Sequence, residues 1–306
     1  MGDILSKGEL FPPRLTNEIF SKIRGKSSIA KLSGQDPIPF NGLKEFTFSM
    51  DSDVDIVAEN GAKGKGGATL TPVTIVPIKI EYGARVSDEF MYASEEEAIS
   101  ILQAWTDGFG KKAARALDIM AMHGLNPRTK QASAVIGTNN FDSVLTGAKL
   151  ITYNSSTPDA NIDSALEVIE GFEYEANGIV IAPAMRSAIA AMQAMDNVYT
   201  RKYPEFAWGA TPANLGQMTL DSNTTVSFNS GADRAIVGDF QNAFKWGISK
   251  ELPLKVIEYG NPDNDETLGD LQGHNQVYLR SEMYIGWGIL DANAFARVAV
   301  VAQNNG

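Results

Sequence analysis

One stretch constrains this chain more than any other. Ala98, Ile101, Leu102, Trp105, Phe109, Ala113, Ala116, Leu117 and Met120 recur in steps of three or four through nearly thirty residues, the period of one apolar face of an α-helix. Ser94 with Glu97 three residues on makes a capping box at its start, and Gly124 is a natural stop. At 1.5 Å per residue the helix runs roughly 40 to 45 Å, a structural spine that Gly108 and Gly110 are placed to bend. His123, in the last turn, is read as a cation complementing the negative end of the helix dipole.

What precedes the spine does not read as core. Leu15, Ile19, Phe20 and Ile23 follow Pro12 and Pro13 at helical spacing, with Gly25 beyond them, which predicts a short amphipathic helix on an arm. The arm continues through Gly34, Gln35, Asp36, Pro37, Ile38 and Pro39, an extended path expected to lie on another surface. Phe46 and Phe48 then alternate with Glu45, Thr47 and Ser49, the period of a half-buried strand, and residues 73–82 form a second β-rich run. Asp51, Asp53, Asp55 and a glycine-rich basic stretch, residues 59–67, separate the two. The simplest arrangement is a long two-stranded hairpin with that stretch at its tip. An isolated hairpin is marginal in water, and a single domain leaves this one no partner, so the pattern predicts assembly.

The second half alternates helix and strand, as in a mixed α/β unit. Helices are expected over 162–172 and from Pro183 to 195, a buried strand over 178–182, and further strands over 235–240, 244–248, 254–259, 277–290 and 297–301. No fixed-period repeat or low-complexity tract interrupts them.

Composition removes most chemistries. The chain has 306 residues, about twice one typical domain, and no cysteine, which excludes disulfides, thiolate nucleophiles and cysteine-held metals. Its two histidines, His123 and His274, offer little ordinary acid–base catalysis. Lys and Arg total 26 against 37 Asp and Glu, a formal charge of -11, whereas proteins that grip nucleic-acid phosphates are normally basic. The start of the chain has no basic n-region or apolar h-region, and no apolar run reaches the ~20 residues that span a bilayer, so a cytoplasmic protein is expected. The loop from Gly61 to Gly67 resembles a phosphate cradle, but Gly66 stands where Ser or Thr is required. Ile56 and Ala62 replace the turn Gly and the bidentate Glu of a calcium loop. The acidic turn from Asn261 to Glu266 is a solvated loop or, less simply, a loose cation site.

An arm, a glycine-rich hairpin, a long spine helix, an α/β unit and terminal strands follow one another in the order of the tailed-bacteriophage major capsid proteins, whose fold is called Hong Kong 97. Val57-Ala-Glu-Asn-Gly61 and the segment from Tyr82 to Phe90 resemble that family's extended loop and its return into the spine. In the tail, Ile236-Val-Gly-Asp-Phe240, Arg280-Ser-Glu282 and Asp291-Ala-Asn-Ala-Phe295 resemble its Gly-Asp, Arg-x-Glu and Pro-x-Ala-Phe signatures. The resemblance covers nearly the whole chain. It implies an α+β, Hong Kong 97-like fold: an N-terminal arm (1–42), an extended loop with flanking strands (43–82), a spine helix and peripheral domain (83–150, continued at 251–289) and an axial domain (151–250, continued at 290–306). It implies a structural protein of the virion that assembles with itself, in the host cytoplasm, as pentamers and hexamers of an icosahedral head. That head encloses double-stranded DNA without sequence-specific contacts. Portal and scaffolding proteins are its expected partners, and no cofactor, metal or membrane is. Because the arm starts near Met1, scaffolding falls to a separate protein or to a segment already cleaved away.

The resemblance also points to residues. Arg85 and Glu89 would pair with neighbouring subunits, and Phe20 and the loop lysines Lys63 and Lys65 would contact them. Some family members weld their shells with a Lys–Asn isopeptide bond assisted by Glu, and Asn275, seven residues before Glu282, matches that spacing. In that reaction a carboxylate takes the Lys proton and the amine attacks the Asn amide, expelling ammonia. Two alternatives stand beside the phage head. One is an encapsulin-type compartment shell; the other is a soluble α/β enzyme or carbohydrate-binding module with Trp208 or Trp246 as a platform.

Overall fold

A computed structural model describes residues 27–50, 52–89, 95–194 and 200–301. The expected arm helix with Phe20, and Ser94 of the capping box, lie outside these residues.

The spine is a single helix, α2 (Glu95–His123), preceded in the chain by a short helix, α1 (Ser28–Leu32). Gly124, at φ 65°, ends α2 in the left-handed conformation that glycine adopts without a Cβ clash. From Ala113 onward α2 is buried on most of its circumference, including Leu117, Met120, Ala121 and Met122, so its last turns run through the middle of the molecule.

Two sheets flank it. One has three antiparallel strands in the order β3 (Ile78–Ser87), β10 (Gln276–Ile289), β9 (Phe244–Ile257). The expected strands at 244–248 and 254–259 are one continuous strand, β9. Trp105 of α2 ties onto this sheet, its indole N–H donating to the Ser281 hydroxyl at 2.8 Å. The other sheet has six strands in mixed directions, β4 (Leu150–Thr152), β11 (Phe295–Ala299), β8 (Asp233–Gly238), β5 (Gly178–Ile181), β7 (Met218–Ser222) and β6 (Asn214–Leu215). Helices α4 (Pro158–Glu170) and α5 (Pro183–Ala191) cover one face; a single turn, α3 (Phe141–Val144), follows the spine.

Strand alternation splits the apolar residues between two cores. Ile179, Ile181 and Val237 face α4 and α5, packing with Ile162, Ile169 and Met185. Val180, Ile236 and Phe295 face the other way, into the core shared with Leu117 and Met120 of the spine. Phe141, Phe240, Phe244 and Phe295 interlock there with ring centroids 5.0–6.0 Å apart. The tail signatures meet at this point. A Cβ on Gly238 would lie 2.2 Å from the Phe295 ring and 2.5 Å from the Ala294 carbonyl oxygen, so glycine is needed for the two strands to close. The Asp239 N–H donates to that carbonyl at 3.0 Å.

Two expectations are corrected. The β-rich run after the glycine-rich loop is two strands: β2 (Ala68–Ile75) pairs with β1 (Leu43–Met50), and β3 leaves for the other sheet. The break falls at Val76 and Pro77, where proline has no N–H for a ladder. Residues 27–38 do not reach for another surface. Ile29, Leu32 and Ile38 are buried in the chain's own core, and the Asp36 N–H donates to the Trp246 carbonyl at 2.9 Å. Gly247 permits that crossing, since a Cβ there would lie 1.8 Å from the Asp36 oxygen. His123 stands in the last turn of the spine as expected, and there it is 5% exposed, its ring held between Asp142 and Thr225.

Candidate assembly surface

The β1–β2 hairpin faces opposite to a strand of an isolated domain. The face of β1 that turns inward is polar, beside Val73 and the buried Ile75 of β2: Lys245 reaches Glu45 at 2.9 Å, and the Thr47 hydroxyl donates to the Leu290 carbonyl at 3.2 Å. The hydrogen bond to Glu45 raises the Lys245 ammonium above its ordinary value, keeping the pair charged. Phe46 and Phe48 therefore project outward, 57% and 59% exposed. In the antiparallel register Phe48 stands opposite Leu70 and Phe46 opposite Pro72; directly opposed residues share a face. Leu70 and Met50 are also exposed, as are Val54 and Ile56 nearer the tip. Several large apolar side chains in one stripe on the outside of a chain mark an interaction surface.

Lys63 and Lys65 sit at the exposed tip between β1 and β2. There the Asp55 carboxylate folds over Gly64, whose Cβ would lie 2.7 Å from its oxygen.

Arg85 is engaged within its own chain. Its side chain is 8% exposed, and Nη2 and Nε fork onto Asp263 at 2.6 and 2.9 Å. The same guanidinium donates to the Asn261 side-chain oxygen, the Gly269 carbonyl and Gln276 at 2.8, 2.9 and 3.3 Å. It holds the Asp263 carboxyl below the usual carboxylate range. The cation of the acidic turn is thus the chain's own arginine, a pairing across 178 positions that no local pattern signals. Glu89, by contrast, is exposed, with its N–H on the Ser87 hydroxyl at 3.3 Å.

Asn275 is an exposed turn residue with φ 51°, its carbonyl accepting the Asp88 N–H at 3.0 Å. Glu282 lies seven residues on, about 23 Å along the chain at strand rise. It is 9% exposed, with Lys79 at 2.8 Å and Arg280 at 3.2 Å. Its hydrogen bond raises the Lys79 ammonium above its usual value. The structure does not bring Asn275, Glu282 and the two loop lysines together within one chain.

Trp246 is 1% exposed and belongs to the core, so it is no platform. Trp208 is 95% exposed, with φ 57°. A cavity of about 480 Å³ beneath α4 and α5 has the four carboxylates of Asp159, Asp163, Glu170 and Glu175, with Tyr203 and Gln217, as its polar lining. It holds no histidine and neither of those tryptophans, and Asp159 is already engaged by Lys202 and Tyr203.

The sequence profile of the phage capsid family matches residues 7–300. Among curated proteins, none matches the chain in sequence. Among solved structures, a chain from Mycobacterium phage Ogopogo is 29% identical and superposes with a TM-score of 0.76, covering 90% of this chain and 92% of that one. A chain from Gordonia phage Cozz is 22% identical, with a TM-score of 0.73 over 91% of this chain and 87% of that one. The capsid of an empty GTA particle shares the fold at 15% identity, with a TM-score of 0.65 over 90% of each chain.

Proposed function

Because this chain belongs to the phage capsid family, and is a major capsid protein with a structural role in the virion, we propose that it closes an icosahedral head from pentamers and hexamers around double-stranded DNA. The observation that carries the proposal is the hairpin turned inside out, with Phe46, Phe48 and Leu70 facing away from their own chain. Covering such a face with another copy is favourable, and a ring of identical copies covers every one.

In this reading the six-stranded sheet with α4 and α5 is the axial unit around each capsomer axis. The spine and the three-stranded sheet form the periphery. The hairpin lies over a neighbour, with Lys63, Lys65 and Glu89 at or near the contact, and portal and scaffolding proteins complete the assembly in the host cytoplasm. The formal charge of -11 supports a wall that repels packed phosphates and lets the genome slide. Glu282 already carries Lys79 and Arg280 on its carboxylate, which favours a shell held without isopeptide bonds.

Light scattering after size exclusion tests the proposal. Six copies of 33.0 kDa make 198 kDa and five make 165 kDa. Masses there, or in the megadalton range, are expected; a 33 kDa species that persists at high concentration would overturn it.

A further inference from the structure

We propose that His123, Asp142 and Asp233 bind a divalent transition-metal ion, zinc being the best match, and so join the end of the spine to the six-stranded sheet. This inference stands on side-chain geometry inside one chain and does not depend on how copies assemble.

The His123 ring is oriented by a group that fixes its tautomer. Nε2 lies 2.8 Å from the Thr225 carbonyl oxygen, which only accepts, so Nε2 carries a hydrogen. Nδ1 then faces two carboxylates, 3.0 Å from Asp142 Oδ2 and 3.7 Å from Asp233 Oδ2. Arg297 Nη1 touches the other oxygen of each, at 2.6 Å on Asp142 and 3.3 Å on Asp233, which leaves both Oδ2 atoms turned toward the imidazole. The Asn229 side-chain amide donates to Asp142 Oδ2 at 2.9 Å and steadies it further. These are the outer contacts that commonly orient metal ligands: a backbone carbonyl behind a histidine, and donors behind carboxylates.

The second observation is an oxygen without a partner. Asp233 is fully buried, and its Oδ2 accepts no hydrogen bond from any described group. A proton on Nδ1 serves one acceptor, and Asp142 is the nearer. The Asp233 oxygen is then left beside the Asp142 carboxylate, within 4.8 Å, and two carboxylates that close in the core call for a proton, a water or an ion between them. An ion bonded to all three atoms at about 2.0 to 2.2 Å serves every one of them. Tetrahedral bonds of that length separate ligand atoms by about 3.3 Å, between the two distances observed from Nδ1.

One imidazole and two carboxylates form a borderline donor set that suits zinc better than magnesium or calcium. Asp142, 22% exposed, leaves a side for the ion to enter and for a water to complete the shell. Two carboxylates against one guanidinium leave one negative charge, which a divalent cation more than offsets.

The test uses the full chain, stripped with chelator and equilibrated with zinc. We expect one zinc per chain after gel filtration, and a melting temperature raised by about 5 °C at a hundredfold excess over Kd. Asp233→Asn and Asp142→Asn should lose the ion while keeping the wild-type circular dichroism. Should either variant fail to fold, cobalt on the wild-type chain gives a separate readout: the visible absorption of a four-coordinate cobalt site is expected. A chain that takes up neither zinc nor cobalt, or an Asp233→Asn variant that binds zinc as the wild type does, would overturn the proposal and leave a proton or a water as the occupant.

Discussion

Ser27 and Asp118, ninety-one positions apart, meet in the core with the Ser27 hydroxyl 2.5 Å from the Asp118 carboxylate. The same carboxylate accepts the Ser28 and Ile29 N–H groups at 3.1 and 3.2 Å, the Asn223 amide at 3.1 Å and the Thr225 hydroxyl at 3.0 Å. One side chain from the last turns of the spine thus caps α1 and holds the loop that follows β7. It accounts for why α1 is pinned to the body of its own chain.

Removing that carboxylate strands five donors in a dry interior. Asp118→Ala should cost at least about 3 kcal/mol, read as a lower urea midpoint of the unassembled chain; a loss below ~1 kcal/mol would contradict the role assigned to it.

Asp118 also sets a pH dependence. Burial raises its carboxyl to about 6, with the hydrogen bonds from Ser27, Ser28, Ile29 and Thr225 pulling the other way. The fold therefore binds this proton more tightly than the unfolded chain does, so stability falls as pH rises from about 4 through 6, by roughly 3 kcal/mol. Asp118→Asn should flatten the slope by that amount when urea midpoints are compared at pH 4 and pH 7. Identical slopes in variant and wild type would rule the assignment out.

The outward phenylalanines should matter to assembly and not to folding. With Phe46→Ser and Phe48→Ser together, the melting of the isolated chain is expected to move little, because both rings are more than half exposed. Each buried Phe contributes ~1.5–3 kcal/mol to the interface that covers it, so the concentration needed for assembly should rise at least a hundredfold. Light scattering across a dilution series measures it, and unchanged assembly would show that another face carries the contact.

Arg85→Ala should free the segment 260–270 while leaving the cores alone, since the guanidinium is what joins Asn261, Asp263 and Gly269 to β3. Faster cutting in that segment under limited proteolysis, at an unchanged melting temperature, is the expected result.

Mature particles, boiled in detergent, should run as one band at 33.0 kDa. A ladder of multiples would mean that Lys63 or Lys65 is joined to Asn275 of a neighbour in spite of the Glu282 ion pairs.

The sequence by itself determined the elements whose signal is local. The three- and four-residue steps of Leu102, Phe109, Ala113 and Leu117 specify the spine because an amphipathic helix is defined by its own neighbours. The Gly-Asp and Ala-Phe signatures were legible as motifs, although only the structure shows that they touch at Gly238 and Phe295. Alternation around Phe46 announced a strand with one face covered. It could not say which face, because a period of two is the same for a sheet packed on its apolar side and one packed on its polar side. That choice was made by Glu45 meeting Lys245 and Thr47 meeting Leu290, about two hundred positions away. His123 in a last turn is locally a cap; what buried it was the arrival of Asp142, Thr225 and Asp233 from three later segments. Arg85 has no partner signalled in its own segment; the turn at 261–269 supplies one within the chain. Periodicity reports which residues lie on one side of an element, whereas desolvation and charge pairing depend on what packs against that side, and only the tertiary structure decided that.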